Sequence, residues 1–86
     1  MIRKLSEPVS VSMTYDHKNS KAYPTKILWQ GRIYNIVKIG LHHEFKVGRT
    51  LMHIFSVESP SLFFRLSLNT ESLAWVLEEI SDGEPN

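Results

Sequence analysis

From Leu62 to Leu68 the chain alternates: Leu62, Phe64, Leu66 and Leu68 are separated by Phe63, Arg65 and Ser67. A period of two fits an extended chain with one face against a core, so this segment predicts a β-strand. The same period runs through Val9, Val11, Met13 and Tyr15, with Ser10, Ser12 and Thr14 on the opposite face. Two such segments commit the chain to a sheet. Its 86 residues have room for one core and no second domain, so residues 1–86 are read as a single domain.

Between and beyond these strands the punctuation is that of hairpins. Asp16 to Ala22 is polar and turn-rich, with Pro24 following, and predicts a surface loop. Lys26 to Ile39 holds two β-rich runs around Gln30-Gly31, where glycine accepts the positive φ of a tight turn, so Trp29 and Arg32 should face each other at the neck. The second run is apolar on both faces. That predicts a central strand or a bulge that shifts the phase, with Gly40 as its site. The pattern is lost from Leu41 to Gly48 and resumes from Arg49 to Val57; Glu58 to Ser61 is a turn around Pro60.

The last element is ambiguous. Leu73, Val76, Leu77 and Ile80 fit helical spacing with Asn69 or Thr70 as cap, whereas Leu73, Trp75 and Leu77 share one face of a strand. No Glu or Gln stands three residues after Asn69 or Thr70 to close a capping box. The expected fold is all-β, an antiparallel meander of about six strands forming a small barrel or rolled sheet. The alternative is α+β with a C-terminal helix near 70–82. Residues 1–7 and 82–86 are expected to fray.

Composition excludes some classes. The chain has no cysteine, so no disulfide framework or thiolate zinc site supplements the core, and a reducing, cytoplasmic location is expected. Nothing in the sequence reads as an export signal or a membrane-spanning segment, so no membrane partner is expected. The net charge is +1, but it is divided: all ten Lys and Arg lie in residues 1–70 with four acids, and residues 71–86 hold five acids alone. Such a split marks a basic binding face, an acidic tail that folds back over it, or ordinary solvated surface.

Three segments, Ile27-Leu-Trp-Gln-Gly-Arg-Ile-Tyr34, Gly48-Arg-Thr-Leu-Met-His-Ile-Phe-Ser-Val57 and Phe64-Arg-Leu-Ser-Leu-Asn-Thr-Glu-Ser-Leu-Ala-Trp75, resemble a family of short uncharacterised bacterial proteins, a domain of unknown function. The likeness runs from Pro24 to about Asp82, and its most recognisable pieces are Trp-x-Gly-Arg-x-Tyr and the late Arg-Leu followed by Trp. The resemblance implies that the late tryptophan segment is a strand. It also implies a nucleic-acid partner, because relatives accompany bacterial DNA-repair polymerases. It carries no catalytic residue.

The residues offer no enzyme. There is no Gly-x-Ser-x-Gly elbow, Glu78 and Glu79 are adjacent and so diverge in a strand, and Gly48-Arg49-Thr50 lacks the spacing of a phosphate-binding loop. No cofactor is expected. His42, His43 and His53, with Glu44, form the one candidate metal set, weakened because neighbours in a strand face opposite ways; a site would need His42 or His43 with His53 across a hairpin. The expected function is a non-enzymatic binding module. Nucleic acid is the leading ligand, held by Arg32, Lys38, Arg49, Phe63 and Arg65, with basic groups taking phosphates and the ring stacking on bases. The alternative is a protein–protein or homodimeric scaffold, because large apolar side chains and sheet edges need cover.

Overall fold

The computed structural model describes residues 1–83. Seven strands form one antiparallel sheet: β1 (Ile2–Asp16), β2 (Lys21–Trp29), β3 (Arg32–Asn35), β4 (Lys38–Val47), β5 (Thr50–Glu58), β6 (Phe63–Asn69) and β7 (Trp75–Ser81). Their spatial order is β3-β2-β1-β7-β6-β5-β4. The all-β reading holds, with one strand more than expected.

The order contains its own constraint. β3 and β4 are the two edges of the sheet, yet they are consecutive and joined by Ile36 and Val37 alone. So short a link leaves the edges near each other, and the sheet must roll. The link is pinned on both sides, Ile36 N–H donating to the Thr25 carbonyl at 2.9 Å and Val37 N–H to the Glu58 carbonyl at 2.8 Å. No ladder joins β3 to β4, so the roll stays open there and is not a barrel. What reads in sequence as one arm from Arg32 to Ile39 is therefore the passage from one edge to the other, which explains its apolar residues on both faces.

Curvature comes from bulges. β1 serves two neighbours, β7 along its first half and β2 along its second, with register shifts between Lys4 and Glu7 and between Ser12 and Met13. At the second shift Thr25 is the extra residue and Pro24 stands just before it, a place where a missing N–H is tolerated. Gly40 and Leu41 together oppose Ser56, so Gly40 does sit at a phase-shifting bulge. Two hairpins use two-residue turns. Gln30 (φ 51°) and Gly31 (φ 74°) both take positive φ, and Gly48 (φ 62°) opens the Gly48-Arg49 turn of β4–β5.

The core lies inside the roll. Ile27, Trp29, Phe55, Val57, Phe64, Leu66, Leu68, Trp75 and Leu77 form one buried cluster drawn from β2, β5, β6 and β7. Trp29 and Tyr34 meet Phe64 across the interior, at ring-centroid distances of 6.5 and 5.1 Å. The Trp29 indole N–H donates to Glu7 at 3.0 Å, so the one polar atom of that ring is satisfied.

Three expectations need correction. Residues 1–7 do not fray: from Ile2 they are strand, with Ile2 opposite Ser81 and Lys4 opposite Glu79. Of 82–86, residues 84–86 lie outside the described residues, while the Asp82 carboxylate accepts from the Met1 ammonium at 2.8 Å. Leu41–Gly48 is strand as far as Val47, an exposed edge with no buried face to impose alternation.

The helical alternative for 70–82 fails for a local reason. Asn69 does cap a turn, its side-chain oxygen accepting from the N–H groups of Glu71 and Ser72 while Leu73 N–H reaches the Asn69 carbonyl at 2.7 Å. That is a single helical turn. Leu73 (φ 64°) enters the left-handed region and ends it, and β7 begins at Trp75. No helix among the described residues is long and apolar enough to cross a membrane.

Candidate functional site

The predicted cations are dispersed. Arg32 and Arg49 stand exposed at the ends of two different hairpins. Lys38, Phe63 and Arg65 do come together around an outer groove of about 300 Å³, which Phe63 and Arg65 line with Ile2, Gly40, Ser56, Glu58 and Glu79, while Lys38 lies opposite Glu58. Each cation there has a carboxylate. Lys38 Nζ is 3.8 Å from Glu58, and Arg65 Nη1 is 3.2 Å from Glu79. Both pairs are exposed or half-exposed, which makes them weak, but they cancel the positive field a phosphate backbone requires.

The histidines are placed with more purpose. The Gly40-Leu41 bulge sets the phase of β4 so that His42 lies opposite Phe55, and Glu44 opposite His53, on the inner face. His43 falls on the other face, in a separate groove with Phe45, Ile54 and Arg65. Of the candidate metal set, the structure thus unites His42 and His53 and separates His43. Among the described residues no group of three His, Cys, Asp or Glu side chains is arranged to hold a metal ion.

His42 Nε2 lies 2.8 Å from His53 Nδ1, and His53 Nε2 lies 3.5 Å from the Glu44 carboxylate. The chain is satisfied when His42 Nε2–H donates to His53 and His53 Nε2–H points to Glu44. His42 Nδ1 is then left as an acceptor. The His42 ring stacks on Phe55 at 4.2 Å with an interplanar angle of 10°, which fixes its orientation. Desolvation, and secondarily the His53 charge, hold the His42 pKa below its ordinary 6.5; Glu44 opposes this, and His43 and Lys21 add to it.

These side chains sit in the mouth of the rolled sheet. A cavity of about 540 Å³ opens there between the β1–β2 hairpin and β4, lined by Met13, Ile39, Phe55 and Leu68, by Ser20 to Tyr23, and by His42 and His53. Met13 and Tyr15 lie on the face read as buried, yet they are 43% and 66% exposed, because at this end the roll is open and nothing covers them. Sequence reasoning missed Lys21, Met13 and Ile39 as lining residues. The only signal was the His42/His53 register, readable once the bulge is known.

A pH dependence follows. The folded His42 pKa is depressed, so its contribution to stability is complete above 6.5 and is lost as pH falls from there towards the folded value. The urea midpoint is expected to drop between pH 7.5 and 5.0, and His42→Gln to shrink that drop. Asp16, lowered mainly by its hydrogen bonds with Asn19 and Lys18, loses its contribution only below 3.8 and does not enter this window.

No family model, curated protein or solved structure matches the chain.

Proposed function

We propose that this domain is a non-enzymatic binding module whose site is the mouth of the rolled sheet. Its ligand is a small molecule with an apolar body and an anionic group. The observation that carries this reading is the composition of one cavity. Its size falls in the range of ligand pockets, about 300–1,000 Å³; its floor is Phe55, Ile39 and Leu68; and its polar groups, Lys21 and the His42–His53 pair, converge on one opening. Mouths of β-barrels are habitual ligand sites because the strand ends leave interior side chains uncovered. Lys21 supplies a fixed cation. A proton taken up on His42 Nδ1 adds a second while leaving the bond to His53 intact.

The test is a fluorescence titration with 8-anilinonaphthalene-1-sulfonate, an apolar body whose sulfonate stays ionised, at pH 7.5 and 5.5 with circular dichroism confirming the fold. Saturable binding that tightens at the lower pH is expected. Lys21→Glu should weaken it by about fivefold, the worth of one solvent-accessible ion contact, and His42→Gln should remove the pH component. Wild-type affinity in Lys21→Glu would sink the proposal.

A second reading rests on Phe63 and Arg65 lining the outer groove, with Lys38 paired to its lining residue Glu58. Single-stranded nucleic acid would lie there, its bases on Phe63. It stands behind the first because Glu58 and Glu79 line the same groove. A labelled oligonucleotide in the same titration decides between them, since salt-sensitive binding lost in Arg65→Ala would favour the outer groove.

A further inference from the structure

The two sheet edges are unequal. β3 has four residues, whereas β4 has ten with no proline among them and lies at the open end of the spatial order. A long edge of this kind presents unpaired backbone N–H and C=O groups to any extended partner. It is also apolar where it should be polar: Leu41 is 65%, Phe45 43% and Val47 60% exposed.

We propose that β4 pairs antiparallel with β4 of a second copy, about a two-fold axis passing through Phe45. The occupant is identified by the self-complementarity of the strand. After the bulge, His43, Phe45 and Val47 share the outer face, and Glu44 and Lys46 share the inner one. A two-fold axis at Phe45 places Phe45 opposite its own copy and His43 opposite Val47. The same operation sets Glu44 against Lys46 and Lys46 against Glu44. Both charges on this stretch are thereby neutralised twice, and an aromatic pair sits at the centre. An axis one residue earlier would oppose Glu44 to Glu44, and one residue later Lys46 to Lys46, so charge excludes the neighbouring registers. The two sheets would continue into each other, and the apolar outer face of β4 would gain a partner surface.

This inference does not rest on the proposed ligand, although Glu44 also lies 3.5 Å from His53 at that site. It is tested by sedimentation equilibrium of the full chain over micromolar to millimolar concentration. A mass approaching twice the 10.0 kDa of the chain is expected. Glu44→Lys and Lys46→Glu each juxtapose like charges in both symmetry-related positions and should weaken the dimer by at least about tenfold. The double exchange Glu44→Lys with Lys46→Glu restores the complementarity and should restore the dimer. Both positions of the test are exposed side chains, and thermal melts of the variants check that the monomer fold is retained. A chain that remains monomeric at millimolar concentration overturns the proposal. So does a dimer indifferent to the single reversals, or one that the double exchange fails to rescue.

Discussion

Leu66→Ala is expected to destabilise the domain by about 2–5 kcal/mol, the usual cost of removing three methyl-group equivalents of volume from a rigid interior. Leu66 is fully buried in β6 and lies opposite Phe55 on β5 and Leu77 on β7. Its neighbours on both sides are held by ladders, so they cannot collapse into the space left behind, and the transfer and cavity contributions add. A domain of this size has a total stability of about 5–15 kcal/mol, so the variant should lose a large share of it. Urea denaturation followed by tryptophan fluorescence measures the loss, with the slope unchanged if the native state is otherwise intact. Ser61→Ala, at an exposed turn position, serves as control and should lie within about 0.5 kcal/mol of the parent. A comparable value for Leu66→Ala would mean that the interior of the roll is not packed there.

Deletion of residues 1–6 is expected to cost on the order of 3 kcal/mol and to make the protein aggregate. The segment supplies the pairs Ile2 with Ser81, Arg3 with Ile80 and Lys4 with Glu79, and the Met1–Asp82 ion pair. Several backbone hydrogen bonds at about 1 kcal/mol each account for the magnitude. The larger consequence is topological. Without this part of β1, β7 becomes a bare edge from Glu79 to Ser81, and Ile80, which packs against the core, loses its cover there. Glu7 is kept so that the Trp29 indole retains its acceptor. A truncated chain with an unchanged urea midpoint and no concentration-dependent scattering would show that the first six residues contribute nothing to the sheet.

These two variants bracket what could be read in advance. Leu66 was legible as core because its alternation with Arg65 and Ser67 has one physical cause, a strand with one face against apolar matter. Residues 1–6 were not, because Arg3, Lys4 and Ser6 give no alternation, and their pairing depends on a partner more than seventy residues away. β4 was obscured for a related reason: an edge strand exposed on both faces has no environment to imprint a pattern. The capping signal at Asn69 was real but governed only one turn, since nothing in a local motif states how far a helix must run before packing ends it.

The candidate site divides in the same way. Residue types alone show that His42 and His43 diverge in an extended chain and that His53 must lie across a hairpin to join either. Which of the two faces inward is set by the Gly40-Leu41 bulge opposite Ser56, a register that exists only once β4 and β5 are paired. The charges of Arg32, Lys38, Arg49 and Arg65 were equally visible, but strand order decides that two stand at separate hairpin ends and two meet carboxylates. By itself, then, the sequence determined that this chain makes a sheet, that a tight turn falls at Gln30-Gly31 and that Phe64, Leu66 and Leu68 enter the core, because these follow from local dihedral preferences and a period of two. The tertiary structure alone decided that the sheet rolls without closing, that its mouth stays uncovered and that His42 meets His53 there, because each depends on pairing between segments whose separation along the chain leaves no local trace.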